Sequence, residues 1–332
     1  MEDKIDIVMI WVDGADKDWQ SEKIKYSDNP EAVRSGINRY RDWGLLRYWF
    51  RGVEKFAPWV NNIYFITCGH YPKWLNLKHS KLKFVKHDEY IPKEYLPTFS
   101  SHTIELNLHR LKGLSEKFIY FNDDVFIIND LNKNDFFKND KPRFIAGSDI
   151  TYSDDYDDTF SHILLNDLGV INKHFDKKKV IKENFFKWFN LNYDMKTMIK
   201  TFSLLPFNKF SSMIVPHLAM PILKSTIEEI WNIEGNVLDR TSRNKFRSKD
   251  DVNQLLFSFY DIARNNFEPS TKKLGKYYDI KNNLEKITKA IENQNHKIIC
   301  FSDDANIDFE KYREEIENAF KKILPDKSRF EI

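Results

Sequence analysis

The 332-residue chain predicts an α/β fold: a Rossmann-like, mostly parallel sheet carrying a helical insertion. Three observations predict it. Apolar runs and amphipathic stretches alternate over about the first 130 residues, as strand–helix–strand units require. The run 5–12 is apolar except for Asp6, the composition of a strand buried on both faces. Helical periodicity then dominates the middle of the chain before one more strand-like run, KIICF, at 297–301.

In order, 5–12 is the first strand, and 42–56 is a helix with Leu45, Leu46, Trp49 and Val53 on one side. Strands follow at 62–67 and 82–85, the latter ending at His87-Asp88-Glu89. Residues 101–114 read as a helix and 118–121 as the fourth strand. Helices are expected at 161–175, 183–202, 222–231, 250–263 and 308–324. The organisation is therefore an α/β core (1–150), a helical insertion (151–235) and a return to the core (236–332). The Lys- and Asn-rich stretch 268–292 carries no periodicity that places it.

Composition narrows the partners. The chain is 41% hydrophobic and 15% aromatic, enough for an ordinary globular core. Its 52 basic and 50 acidic residues nearly cancel, so no nucleic-acid partner is expected. The runs KHFDKKKV (173–180) and FKKILPDK (320–327) suit either an anionic membrane surface or plain solvated faces. Two cysteines without CxxC or His–Cys spacing argue against a disulfide framework and a zinc site, and for a reducing compartment. The acidic start and short apolar run differ from a signal peptide, and no run approaches a membrane span. A cytoplasmic protein is expected.

The stretch KFIYFNDDVFI (117–127) is the most informative. A strand-like run leads into Asn122-Asp123-Asp124, and a second apolar run follows at once. Adjacent carboxylates at a strand end need a cation or strong donors when buried. Carboxyl ends of strands are where open α/β sheets bind ligands. The same residues also suit a tight turn. The neighbouring segments favour a site that holds a metal-bound phosphate. Asp13-Gly14 closes the first strand, either as a plain turn or as a close backbone approach to ligand. On the 101–114 helix, His102, Glu105 and His109 share the face opposite Ile104, Leu108 and Leu111, with Arg110 at its edge. That face suits acid–base or anion chemistry, or ordinary solvent exposure. His217 follows Pro216 ahead of an expected helix. Ser248 and Asp251 have capping-box-like spacing beside Arg247 and Lys249, which suits a phosphate at a helix start. Arg39, Arg41 and Arg47 add potential phosphate partners. No Walker loop, GxGxxG, HExxH or GxSxG occurs.

Together these segments resemble the Stealth family of sugar-phosphate transferases. The resemblance runs in order through IDIVMIWVDGADKDW (5–19), then RYRDWGLLRYWFRGVEKFAPWVNNIYFITCGHYPKWLN (39–76) with LPTFSSHTIELNLHRLKGLSEKFIYFNDDVFI (96–127). It continues through FSHILLNDLGVINKHF (160–175) with VPHLAMPILK (215–224), and DRTSRNKFRSKDDVNQLLFSFY (239–260). About half the chain is covered; 265–332 inherits little.

The resemblance implies transfer of hexose-1-phosphate, such as N-acetylhexosamine-1-phosphate, from a UDP-sugar to a hydroxyl of a glycan or capsular polysaccharide. UMP is released. It implies Asp13 and Gly14 near the nucleotide sugar, Asn122 beside it, and Asp123 and Asp124 at Mg²⁺ or Mn²⁺ and the diphosphate. His109 or His217 is the implied base. Arg47, Arg110 and Arg247 would neutralise phosphate, Asp251 would orient Arg247, and His102 would contact substrate. A membrane-borne acceptor would bring peripheral association at the inner face of the cell membrane. The oligomeric state is left open. The rival readings are a glycosyltransferase with a GT-A-like sheet, releasing UDP, and a non-catalytic nucleotide-sugar scaffold.

Overall fold

The computed structural model describes residues 4–27, 41–304 and 306–332. Arg39 lies outside them. Strands β1 (Ile5–Ile10), β2 (Ile63–Thr67), β3 (Leu82–Lys86) and β4 (Lys117–Phe121) pair in parallel in the order β3-β2-β1-β4. The fold is thus α/β with a mostly parallel central sheet. Asp6, the polar break in the first strand, is fully buried at the sheet's amino end. Its carboxylate accepts from Asn61 Nδ2 at 2.7 Å, Asn62 N at 3.0 Å and Ser115 N at 2.8 Å. It thereby ties the starts of β2 and β4 to β1 instead of costing an unpaired buried charge.

Both faces of the sheet are covered, as continuous apolar strands require. Ile5, Ile7 and Met9 of β1, with Ile119 and Phe121 of β4, join one core cluster. Val8, Phe118 and Tyr120 join the other, the period-2 alternation of a strand. The first face packs on α2 (Leu46–Phe56); α1 (Lys17–Lys25) precedes it in the chain. The other face packs around α3 (Ser101–Leu106) and the helices that follow. The helix expected over 101–114 stops at Leu106 and continues only as a single turn at Leu108–Arg110. Buried Asn107 donates its amide to Thr103 O at 2.8 Å, a local bond that competes with the helical ladder.

After β4 the chain forms β5 (Val125–Ile127), β6 (Phe137–Lys138) and β7 (Lys141–Phe144). The helical excursion contains α4 (Thr159–His174), α5 (Lys177–Glu183), α6 (Phe185–Trp188) and α7 (Met195–Ser203). The single helix expected at 183–202 is broken because Asp194 caps a new start, accepting from Thr197 N at 2.7 Å. Residues 222–223, read as the start of a helix, instead belong to β8 (Met220–Leu223), followed by α8 (Lys224–Arg243). β8 is antiparallel to β4 at the sheet edge, where Pro221 is tolerated. The helix expected at 250–263 begins later, as α9 (Leu255–Ala263).

The unplaced stretch supplies β9 (Glu268–Pro269), β10 (Gly275–Tyr278) and α10 (Leu284–Glu292). β11 (Ile298–Phe301) pairs with both β10 and β5, and α11 (Phe309–Ile323) closes the fold against α2. Among the described residues, no helix is long and apolar enough to cross a membrane.

Candidate active site

Asn122, Asp123 and Asp124 form the turn that leaves the carboxyl end of β4 and enters β5, a strand of the second sheet. Asp124 Oδ1 is buried without a hydrogen-bond partner. The thiol of buried Cys300, on β11, lies beside the same carboxyl. Burial pushes Asp124 up to about 6. Asp123 is exposed at the tip of the turn; loss of hydration beside the surrounding protein, then the Asp124 charge, pushes it up to about 7. Burial and the neighbouring Asp124 charge hold Cys300 as a thiol.

A cavity of about 590 Å³ opens on one side of this turn, lined by Asn122, Asp124 and Cys300 at one end. His217 reaches it because of strand direction. β8 runs against β4 with Met220 opposite Tyr120, so the loop ahead of β8 arrives at the carboxyl end of β4. His217 sits on that loop at φ 46°, its ring 5.5 Å from Phe160 and 5.2 Å from Tyr277. Surrounding protein lowers its pKa, favouring neutral imidazole.

Two residues outside the cavity lining, Arg247 and Asp42, have charges that bear on Asp123. Arg247 is exposed and donates to Ser101 Oγ at 2.8 Å. Its loop is clamped to the start of α3 by Phe99 N donating to Lys245 O at 2.8 Å and by stacked Phe99 and Phe246 rings. The expected Asp251–Arg247 pair is not formed. Asp251 is fully buried and sits 2.8 Å from His102 Nδ1, while also accepting from Asn244 Nδ2 and Ser248 N. Ser248 and Asp251 therefore close a turn instead of capping a helix. Lys249 pairs with Asp157, not with an anion site.

Asp13 and Gly14 lie in the loop after β1. Asp13 N donates to His70 Nε2 at 2.7 Å, and Asp13 Oδ1 accepts from Ala15 N. Gln20 donates to Gly14 O at 2.6 Å. Burial lowers the pKa of His70, consistent with that acceptor role. Arg41 pairs with Asp303, and Arg47 lies over the Trp74 ring, 5.3 Å from its centroid; neither lines the cavity.

The structure does not bring His109 and Arg110 to the turn. α3 runs from the carboxyl towards the amino end of the sheet, so its continuation carries them away from Asp124. Both pack on Trp231 of α8, with His109 Nδ1 buried and unpartnered. The shared face with His102 and Glu105 is lost with the helical turn, and those two are buried, not solvated.

Behind the turn, buried Glu105 supports Tyr120, which lines the cavity. Glu105 Oε1 accepts from the Tyr120 hydroxyl at 2.8 Å, and that hydroxyl also lies 2.7 Å from Asn122 Oδ1. The cavity lining also includes Arg143, Lys196, Lys200, Lys272 and Lys276, to which the sequence gave no pointer. These come from β7, α7 and the 268–292 stretch, and only tertiary placement unites them.

Among the described residues, no group of three or more His, Cys, Asp and Glu side chains is arranged as a metal cage. Asp123 and Asp124 nevertheless offer adjacent hard oxygen donors, one orphaned. This pair fits a Mg²⁺-like ion that takes its other ligands from phosphate and water.

Residues 39–144 match the family described as Stealth protein CR2, conserved region 2. The chain is 45% identical over its full length, and the full length of the relative, to the capsular polysaccharide phosphotransferase WcwK of Streptococcus pneumoniae. It is 38% identical, again over all of both chains, to the receptor polysaccharide phosphotransferase WefC of Streptococcus gordonii. It is 34% identical to the exopolysaccharide phosphotransferase cps2G of Lactiplantibacillus plantarum, over 98% of this chain and 96% of that one. A solved galactosyltransferase, LgtC, crystallised with donor and acceptor sugar analogues, matches 94% of this chain and 95% of its own at 9% identity. Its TM-score of 0.35 is too low to bear on the site. The relatives make this chain a transferase enzyme of the phosphotransferase class. It belongs to the Stealth family.

Proposed function

We propose that the enzyme transfers hexose-1-phosphate, such as N-acetylhexosamine-1-phosphate, from a UDP-sugar to a hydroxyl of a capsular or cell-wall glycan at the inner face of the cell membrane. The observation that carries this reading is the position of the Asn122–Asp124 turn. Its Asn122 and Asp124 line the cavity that also holds His217, and the charge of Arg247, whose guanidinium donates to Ser101 Oγ, bears on its Asp123. The family and the phosphotransferase names of the relatives support the same chemistry.

In this reading the donor lies on the Arg247 side and the acceptor enters the cavity. Neutral His217 takes the proton of the acceptor hydroxyl as its oxygen attacks the β-phosphorus. The bond from that phosphorus to the bridging oxygen breaks, UMP leaves with the bond electrons, and a phosphodiester joins sugar and acceptor. Arg247 stabilises phosphate charge, and Ser101 and the His102–Asp251 pair hold its loop. Asp123 and Asp124 would hold Mg²⁺ or Mn²⁺, which supplies charge neutralisation at the diphosphate when bound. Such catalysis depends on positioning and electrostatics, which buried Asp251, Glu105 and Tyr120 are placed to provide.

The test is nucleotide release from a panel of UDP-sugars with Mg²⁺ and the producing cell's glycan, with and without EDTA. UMP formed only with acceptor is the expected result. UDP would make the enzyme a glycosyltransferase, and donor binding without turnover would make it a scaffold.

A further inference from the structure

The outer face of the 177–209 excursion inverts normal amphipathicity. In α7, Met195, Ile199 and Phe202 fall within one narrow stripe at 100° per residue and are 67%, 60% and 67% exposed. The polar residues Thr197 and Thr201 face inward and are buried. Two flanking segments extend the apolar surface: Phe186 and Leu191 are 83% and 95% exposed ahead of α7, and Phe207 is 61% exposed after it. The inner side is an ordinary core, with Val180, Ile181, Trp188 and Tyr193 buried. Apolar groups this large are rarely left in water along one side of a segment without a function.

Charge indicates what covers this face. Residues 177–209 carry eight lysines against two acids, Glu183 and Asp194. Asp194 is already paired with Lys272. Exposed Lys178, Lys179, Lys182 and Lys196 pair with no carboxylate among the described residues. Buried Lys177 donates to Leu204 O at 2.6 Å, which ties the start of α5, with Lys178 and Lys179, to the end of α7. The second basic run, near 320–327, lacks this character. Lys321 and Lys322 there pair with Glu317 and Glu292.

We propose that this face docks on an anionic lipid bilayer, with Phe186, Leu191, Met195, Ile199 and Phe202 entering the interface and the free lysines meeting headgroup phosphates. Apolar insertion beside basic side chains is the composition of an interfacial anchor. α7 also joins this face to the cavity, because Lys196, Thr197 and Lys200 on its flank line the cavity wall. On the glycan-acceptor reading above, a lipid-borne acceptor would therefore enter beside the surface that holds the membrane; the docking itself does not depend on that reading.

The experiment is co-sedimentation of the full chain with vesicles of phosphatidylglycerol and phosphatidylcholine, against vesicles of phosphatidylcholine alone. No sugar donor or acceptor is present, so failure here leaves the proposed reaction untouched. The wild type is expected to bind the anionic vesicles and to lose binding with added salt. Ile199→Glu/Phe202→Glu and, separately, Phe186→Glu/Leu191→Glu are expected to weaken partitioning by about tenfold or more, with melting temperatures unchanged because every altered side chain is exposed. Absence of wild-type binding, or equal binding by both double variants, overturns the proposal. So does a wild-type dimer in sedimentation velocity that these variants dissociate while vesicle binding is absent, since the face would then belong to a second copy.

Discussion

His102 Nδ1 and Asp251 Oδ2 lie 2.8 Å apart, with both residues buried, although 148 residues of chain separate them. This pair joins the start of α3 to the loop that carries Arg247. Asp251 thereby holds that loop through three hydrogen-bonded partners. Removing it strands His102, Asn244 Nδ2 and Ser248 N at once.

Asp251→Ala is therefore expected to destabilise the protein by about 3 kcal/mol, as loss of one partner of a buried pair does. Arg247→Ala, at an exposed position, should cost under about 0.5 kcal/mol while lowering turnover strongly. Denaturant unfolding together with nucleotide release separates the two. A stability loss in Arg247→Ala as large as that in Asp251→Ala would contradict the division of roles.

His217 and His109 should part company in the same assay. His217→Ala is expected to reduce turnover by about 10²-fold or more, the usual range for a lost general base. Because surrounding protein lowers the His217 pKa, the acid limb of kcat/KM should lie below the ordinary imidazole value and disappear in the variant. His109→Ala should keep turnover within about twofold, since its ring packs on Trp231 away from the turn. Wild-type-like activity in His217→Ala would remove that residue from the mechanism.

The two turn carboxyls make stability depend on pH. Their folded pKa values, about 7 for Asp123 and about 6 for Asp124, lie above the unfolded value of 3.8. Their contribution to stability is thus fully present below pH 3.8 and is lost as pH rises through those folded values. In metal-free buffer, wild type should lose melting temperature relative to Asp123→Asn/Asp124→Asn as pH rises through about 6 and 7. Mg²⁺ above that range should restore wild type alone, and EDTA should reverse the gain. An identical Mg²⁺ response in the variant would place the ion elsewhere.

Gly275 tests the support under the His217 loop. A Cβ there would stand 2.7 Å from Ile298 O and 2.9 Å from Leu218 Cδ1, next to His217. Gly275→Ala is expected to cost about 1–3 kcal/mol through overpacking and to lower turnover by displacing the loop. Unchanged thermal melting and kinetics would show that β10 and β11 yield without cost.

The alternating strands and helices of the first 130 or so residues, and the Asn122-Asp123-Asp124 turn at a strand end, were legible in the chain because periodicity and turn chemistry act over a few residues. The sequence by itself also determined the family, through motifs carried in separate parts of the chain. Tertiary structure decided which distant groups meet. β8 had to run antiparallel to β4 before His217 could reach the cavity that Asp124 lines, and a four-residue apolar run reads equally as strand or helix. Asn107 had to interrupt α3 before His109 could leave the face it shared with His102. The Lys- and Asn-rich stretch showed no pattern alone, because β10 is stabilised by pairing with β11, whose other edge pairs with β5 and sets Cys300 beside Asp124. Local rules specify elements; the burial of one element's face against another selects the partners that make a site.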